Sequence, residues 1–219
     1  MMPLDELTPA ELRLPLVEAM LPNVPFDGWS IASLDLAADS LGVPRPRARL
    51  AFSGPADMAD AYIELADRRM EEALAALDLP SRKIRDRIRL AVMTRLEQAA
   101  PHKEAVRRAL AVTMLPQNAA RSARGLWRTA DSIWRAAGDR ATDYNHYTKR
   151  AILAAVYSAT LLYWLQDDSE DFAATRVFLD RRIEGIMAFE KTKARLLSVG
   201  SGLPDPLRFL GRLRYPVRG

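Results

Sequence analysis

The chain has 219 residues, which is enough for one hydrophobic core or for a core with a small appended subdomain. It contains no cysteine, which excludes disulfides, thiolate chemistry and zinc or iron–sulfur sites built on cysteine. The formal net charge of +4 is unevenly distributed, with an acidic stretch over residues 1–43 and basic stretches over residues 81–108 and 119–150. This pattern indicates either an anionic partner, such as nucleic acid or a membrane surface, or solvated helix faces.

Composition predicts a helical protein. Alanine, leucine and arginine dominate, and the β-branched and aromatic residues are too sparse to build sheets. The acidic N-terminal residues lack the cationic and apolar regions of a signal peptide. The most apolar run, residues 151–165, is too short to cross a bilayer, so we expect a buried helix there. The absence of cysteine makes the cytoplasm the expected compartment.

The N-terminal segment predicts three helices. The first is expected to begin at Thr8, with Glu11 at the capping-box position. The second is expected to run from Ser30, a good N-cap, to Gly42, a natural C-cap. Together with a short third helix, these two helices are expected to form a small unit over residues 1–53.

The remainder of the chain reads as long helices with short breaks at proline, glycine and aspartate. It predicts a larger helical bundle over residues 56–199, followed by a linker and tail over residues 200–219. The predicted bundle helices cover approximately residues 56–78, 81–99, 103–114, 117–137, 143–166 and 172–198.

The N-terminal unit has the layout of a TetR-type DNA-binding domain, with GWSIASLDLAADSLGV followed by ARLAF. Its third helix, which would read the major groove, opens on Pro44-Arg45-Pro46-Arg47, and two prolines leave little regular helix. The acidic helices before it would repel phosphate. We therefore expect a degenerate helix-turn-helix unit that does not bind nucleic acid. One alternative stays open, a TetR-type transcriptional repressor with an apolar effector. The cations that could support its DNA binding are Arg45, Arg47 and Arg49.

The densest run of polar and aromatic residues lies between Trp127 and Arg150. Trp127 and Trp134 fall on one helical face, and Gly138-Asp139 ends that helix. Beyond it, Tyr147 stands among Asn, His, Lys and Arg, a composition typical of interface hot spots. We expect an exposed binding surface from residue 145 to residue 150, supported by a buried Trp127. An ordinary junction between two helices is the alternative.

A catalytic or metal site has little support in this run. Asp143 and His146 stand three apart, as in half of a di-iron carboxylate site, but a full site needs a second such pair and two further carboxylates. The other histidine, His102, has no acid three residues before it. The chain also lacks a nucleophile elbow and a glycine-rich phosphate loop.

The run resembles the TetR-like accessory proteins of ubiquinone (coenzyme Q) biosynthesis, which carry Trp-x₃-Gly-Asp-x₂-Thr-Asp-x-Asn-x-Tyr-Thr-Lys/Arg-Arg. The matching residues are Trp134, Gly138, Asp139, Thr142, Asp143, Asn145, Tyr147, Thr148, Lys149 and Arg150. Downstream matches are Tyr157, Thr160, Leu161, Gln166, Asp167, Ser169, Asp171, Phe172, Thr175, Phe178 and Leu179. The chain departs from mitochondrial members at His146, where they often have Trp, so the partner surface has lost a large apolar contact.

The resemblance implies a protein that is not itself an enzyme. It implies an isoprenoid lipid, including quinone intermediates, bound in a cavity of the bundle and presented to the di-iron demethoxyubiquinone hydroxylase. Beyond this lipid it implies no metal and no cofactor. The residues expected to bind the hydroxylase are Asp131, Trp134, Asp139, Asp143, Asn145, His146, Tyr147, Lys149 and Arg150.

The lipid cavity has a weaker signature in the sequence itself. After Arg150, small residues alternate with large ones, which can leave room for an apolar ligand or serve close helix packing. The small residues are Ala151, Ala154, Ala155, Ser158 and Ala159, and the large ones are Ile152, Leu153, Val156, Leu161 and Leu162. The residues expected to line a lipid site are Ile133, Ile152, Ala155, Val156 and Ala159.

The tail predicts a short amphipathic helix that touches anionic lipid, with a docking helix on the bundle as the alternative. Its expected membrane residues are Leu207, Arg208, Phe209, Leu210, Arg212, Leu213 and Arg214. The TetR-like layout further implies a homodimer through the two long helices at 143–166 and 172–198. Together these expectations place the protein in the bacterial cytoplasm, peripheral to the inner membrane.

Overall fold

The computed structural model describes residue 4, residues 6–139 and residues 144–200, with side chains at all of these positions except 144, 145 and 187–200. This part of the chain is all-α, as predicted, with no strand among the described residues. Its helices are α1 Arg13–Met20, α2 Val24–Asp27, α3 Ile31–Ser40, α4 Arg45–Arg49, α5 Pro55–Ala75, α6 Ile84–Ala99, α7 Lys103–Thr113, α8 Ala119–Ala136, α9 Tyr144–Trp164 and α10 Ala173–Gly200. Short 3-10 turns occur at Ala100–His102, Pro116–Asn118 and Glu170–Phe172.

The predicted bundle helices agree with α5 to α10 to within a few residues, but the start of the first helix does not. Thr8 and Glu11 form the expected reciprocal hydrogen bonds, with the Thr8 amide 2.8 Å from Glu11 Oε2 and the Glu11 amide 3.4 Å from Thr8 Oγ1. The regular helix nevertheless begins only at Arg13. The capping motif therefore stabilises an irregular turn that precedes α1, and the prediction that α1 begins at Thr8 was wrong.

The N-terminal helices pack against the bundle. α1 contacts α3 and α5, and α2 contacts α7. Trp29, which is buried, donates a hydrogen bond from Nε1 to the Ala105 carbonyl at 3.1 Å, and its ring lies 5.2 Å from that of Tyr62. The chain divides into two compact units, Met1–Phe178 and Leu179–Gly219. The helix-turn-helix layout and α5 to α9 thus share one unit, and the predicted functional boundaries near residues 53 and 199 stay a prediction.

A buried ionic network ties four helices of the first unit together. Asp67 on α5 and Arg95 on α6 are 5% and 7% exposed, and Arg95 Nε lies 2.7 Å from Asp67 Oδ1. Thr129 on α8 places its hydroxyl 3.0 Å from both oxygens of Asp67. Arg95 also donates to the hydroxyl of Tyr157 on α9 and lies over its ring at 5.1 Å. Each charge thus has a partner, as burial requires.

The corner between α9 and α10 is fixed by Asp167. This carboxylate accepts hydrogen bonds from the Ser169 amide at 2.9 Å and from the amide and hydroxyl of Thr175 at 2.8 and 2.6 Å. Burial would raise the pKa of Asp167, but these hydrogen bonds outweigh it and lower the pKa to about 2. Several downstream residues of the sequence motif therefore build a structural corner.

The buried network generates a stability prediction. Arg95→Met would leave the Asp67 carboxylate buried without its cation, so the free energy of unfolding should fall by about 3–5 kcal/mol. Glu97→Ala is the control, because it breaks an ion pair with Arg176 whose side chains are 39% and 45% exposed, and such pairs contribute less than about 1 kcal/mol. Urea denaturation followed by circular dichroism would measure both. Equal losses in the two variants would contradict a central role for the buried pair.

Candidate functional site

The junction between α8 and α9 carries the motif that the sequence singles out. α8 ends at Ala136, and Gly138 adopts φ +89°, a left-handed conformation that favours glycine. A Cβ at Gly138 would also lie 2.9 Å from Arg87 Nη1, which donates to the Ala137 carbonyl. The chain therefore turns sharply here, and Asp139 follows with its amide bonded to the Trp134 carbonyl at 3.0 Å.

Arg150 lies at the centre of this junction and is buried, with 2% of its side chain exposed. Its Nε donates to Asp131 on α8, and its Nη1 lies 3.3 Å from Asp139 Oδ2. The same Nη1 donates to the His146 carbonyl at 3.2 Å. This clamp joins the end of α8, the turn and the first turns of α9.

Lys149 reinforces the clamp from its outer side. Its Nζ lies 2.8 Å from Asp139 Oδ1 and 5.4 Å from the centre of the Trp134 ring. Trp134 Nε1 donates to the Lys149 carbonyl at 3.0 Å. Burial alone would raise the pKa of Asp139, but the hydrogen bonds and charges of Lys149 and Arg150 hold that pKa below its usual range. Asp139 therefore stays ionised between its two cations.

The exposed part of the junction is formed by aromatic side chains. Tyr147 is 63% exposed and lies beside the half-buried rings of Trp127, at 6.0 Å between centroids, and His146, at 5.2 Å. We define the docking surface as Trp127, Trp134, His146, Tyr147 and Lys149. It combines aromatic area with one partly exposed cation, the composition found at the centres of protein interfaces.

The structure revises several predicted positions. The expectation that Arg150 is exposed is wrong, because two carboxylates from earlier in the chain converge on it and bury it. The expectation that Trp127 is buried support is met only in part, since its ring is half-buried beside Tyr147. Asp131 and Asp139 serve the clamp, whereas Asp143 and the side chain of Asn145 lie outside the described residues.

A cavity of about 420 Å³ opens between α5, α6, α7, α8 and α9. Its volume lies within the range of small-molecule sites, and its walls are mostly apolar. Met114 and Leu162 line it and are 74% and 52% exposed, so it reaches the surface there. The lining residues are Tyr62, Ile63, Arg95, Leu96, Ala99, Val106, Ala109, Leu110, Thr113, Met114, Ala119, Ser122, Leu126, Thr129, Tyr157, Ser158, Leu161 and Leu162.

The five predicted lipid residues do not line this cavity. Ile133 and Val156 are buried in the core, Ile152 and Ala159 are half-buried, and Ala155 is exposed. The prediction drew on two helices, α8 and α9, whereas the cavity is a gap between five helices. Ser158, Leu161 and Leu162, which belong to the predicted alternation of small and large residues, do line it.

The recognition-helix arginines are engaged within the chain. Arg45 Nε lies 2.9 Å from Asp39 Oδ1, Arg49 Nε lies 3.0 Å from Asp35 Oδ1, and Arg47 donates to the Leu7 carbonyl. The helix that carries them has only five residues. A short helix with internally paired cations is poorly suited to reading base edges.

Two further properties concern the described residues only. No helix in that part of the chain is long and apolar enough to cross a membrane. No group of three or more His, Asp or Glu side chains there is arranged to hold a metal ion. The predicted membrane residues, from Leu207 to Arg214, lie outside the described residues.

The clamp and the docking surface are expected to respond differently to mutation. Arg150→Met would remove the cation that Asp131 and Asp139 share, although Arg135 and Lys149 still pair with them at 2.8 Å, and the loss of its charged hydrogen bonds should lower the free energy of unfolding by about 1.5–3 kcal/mol. Tyr147→Ala removes a largely exposed ring and should cost less than about 1 kcal/mol. Thermal denaturation of both variants would separate the roles. A larger loss for Tyr147→Ala would assign Tyr147 to the core instead.

Comparison with known proteins places the chain in a family. The COQ9 family model matches residues 119–190. Ubiquinone biosynthesis protein COQ9, mitochondrial, of Rattus norvegicus is 34% identical over 199 residues, which cover 88% of this chain and 64% of the relative. The Homo sapiens protein of the same name is 33% identical over 204 residues, covering 90% and 64%. COQ9-B of Xenopus laevis is 30% identical over 200 residues, covering 88% and 68%.

The chain thus spans about 64% of the length of the mammalian relatives. Among solved structures, the TetR transcriptional regulator from Nitrosomonas europaea ATCC 19718 superimposes with a TM-score of 0.63. It is 22% identical, and the match covers 79% of this chain and 96% of the regulator. This similarity confirms the predicted TetR-like fold. The sequence relatives confirm the predicted relationship, and the chain belongs to the COQ9 family.

Proposed function

We propose that this chain is a non-enzymatic lipid-binding protein of ubiquinone biosynthesis, which binds isoprenoid quinone intermediates and presents them to a membrane-peripheral hydroxylase. The pathway is supported by the curated relatives, which are ubiquinone biosynthesis proteins by name. Those names do not give the ligand or the hydroxylase partner, and both are proposed for this chain.

The observation that carries the proposal is the apolar cavity of about 420 Å³. Its walls combine aliphatic side chains from α6 to α9 with a few polar groups, the usual composition of a site for a largely apolar ligand. Burial of an isoprenoid chain there would be driven by removal of apolar surface from water. The exposed apolar residues at its rim, Met114 and Leu162, suit the entry of a lipid rather than a polar metabolite.

The docking surface supports the presentation step. Tyr147 and Tyr157 stand ten residues apart on α9, which corresponds to about 15 Å along the helix axis. α8 and α9 therefore contribute both to the docking surface and to the cavity walls. An enzyme bound at Tyr147 would therefore lie close to a ligand held beside Tyr157.

Membrane association, dimerisation and location complete the proposal. Leu162, Tyr163 and Val177 are 52%, 41% and 49% exposed, and this apolar face of α9 and of the start of α10 suits a homodimer interface. The amphipathic tail would hold the protein at the inner face of the bacterial membrane. The relatives named above are mitochondrial proteins by name.

The alternative of a TetR-type repressor loses support. The structural similarity to a TetR regulator concerns the fold alone, and fold does not determine function. The cations that would contact phosphate are occupied by Asp35, Asp39 and the Leu7 carbonyl, so DNA would have to displace these bonds.

Lipid extraction followed by mass spectrometry tests the proposal. Purified protein should carry isoprenoid quinone or another bulky apolar lipid. Ser158→Trp should fill the cavity and lower the amount of bound lipid several-fold, because Ser158 lines it. Ala155→Trp is the matched control, since Ala155 lies on the same helix but is exposed and outside the lining. A wild-type protein that is empty and also fails to bind liposomes would overturn the proposal.

A further inference from the structure

A second cavity, of about 450 Å³, lies along α6 and has mostly polar walls, and we call it the cationic cavity. Five cations line it, and they are Arg82, Lys83, Arg85, Arg89 and Arg176. Its described lining contains two carboxylates, Asp86 and Glu97, of which Glu97 pairs with Arg176. Four of the cations belong to the basic stretch over residues 81–108, and none of the five lines the apolar cavity.

The loop before α6, which carries Arg82 and Lys83, is held in place by Arg87. The Nε of Arg87 donates to the Arg82 carbonyl at 2.9 Å, and its Nη2 donates to the Pro80 carbonyl at 2.8 Å. Its Nη1 donates to the Ala137 carbonyl at 2.9 Å, where α8 ends. The backbone of this loop is therefore fixed against a neighbouring helix, so a ligand would meet its two cations without a large cost of ordering the chain.

The charges of the cationic cavity are poorly matched by the protein. Two arginines of α4 lie within 3.0 Å of carboxylates, but here Asp86 lies 3.8 Å from Arg85 Nε, which is too far for a hydrogen bond. Among the described residues, neither Arg82 nor Lys83 forms an ion pair with a carboxylate. Like charges gathered in one cavity repel each other, and an anion bound among them would replace this repulsion by attraction.

Phosphate is the anion that this arrangement suits. Arginine offers several N–H donors in a planar fork that matches the oxygens of a phosphate, and lysine adds a compact point charge. Several neighbouring cations favour an anion that carries more than one negative charge. The volume lies within the range of small-molecule sites, so the cavity has room for a ligand larger than an inorganic phosphate ion.

We propose that the cationic cavity binds a phosphate-bearing ligand, whose phosphate oxygens accept hydrogen bonds from Arg82, Lys83 and Arg85. The phosphate belongs either to a soluble compound or to the head group of a phospholipid, and the chemistry of recognition is the same for both. The inference goes beyond the proposed lipid-binding function and does not depend on it, because the two cavities share no described lining residue.

Two binding measurements on the whole chain test the inference: titration calorimetry with pyrophosphate, and co-sedimentation with phosphatidylglycerol vesicles. Arg82→Gln should weaken the binding of pyrophosphate or of the vesicles about fivefold or more, because it removes a charge-assisted hydrogen bond to phosphate. Lys83→Gln should act in the same direction. Arg124→Gln is the matched control, because it removes the same charge from an exposed position on α8, outside the described lining. It should bind both probes like wild type.

The two measurements distinguish the sources of the phosphate. Weaker pyrophosphate binding in Arg82→Gln with unchanged vesicle binding assigns the site to a soluble compound, whereas weaker vesicle binding assigns it to a lipid head group. Both variants should melt at the wild-type temperature, because Arg82 and Arg124 are exposed. If Arg82→Gln matches Arg124→Gln in both measurements, the inference is overturned, since no binding is then specific to this cavity. That result would leave the proposed lipid-binding function untouched.

Discussion

The structure depends on the buried pair of Asp67 and Arg95. Two opposite charges, 2.7 Å apart and almost inaccessible to water, require each other and their hydrogen-bond partners in a fixed geometry. Through Thr129 and Tyr157 the pair reaches α8 and α9 as well as α5 and α6. Arg95, Thr129 and Tyr157 also line the cavity, so the network that joins these four helices forms part of its wall.

A second ionic cluster organises the junction between α8 and α9. Arg150 fixes the turn between the helices through Asp131 and Asp139, and Tyr147 lies exposed beside the half-buried ring of Trp127. The motif therefore contains two kinds of residue. Charged residues build the junction, and aromatic residues provide the surface. His146 belongs to the second kind, beside Tyr147 at 5.2 Å.

Much of the fold could be predicted from the sequence, because helix propensity, caps and breaks act locally. Ser30 caps α3 through the Ser33 amide as expected, and the bundle helices end near the predicted prolines and glycines. The site could be predicted only in part. Tyr147 is exposed as expected, but the burial of Arg150 depends on carboxylates 11 and 19 residues earlier that converge only in three dimensions. No local sequence pattern predicts such convergence. The cavity could not be predicted for the same reason, because five different helices form its walls.

The central claim is that one scaffold carries a lipid cavity and a separate docking surface. The most direct measurement is the affinity of the purified protein for the demethoxyubiquinone hydroxylase, determined beside the amount of bound lipid. Tyr147→Ala should weaken hydroxylase binding tenfold or more, as expected for an aromatic hot spot, with bound lipid unchanged. Phe26→Ala, which removes another exposed aromatic side chain, 81% exposed on α2, should change neither quantity. Hydroxylase affinity that is the same in Tyr147→Ala and wild type would contradict the account.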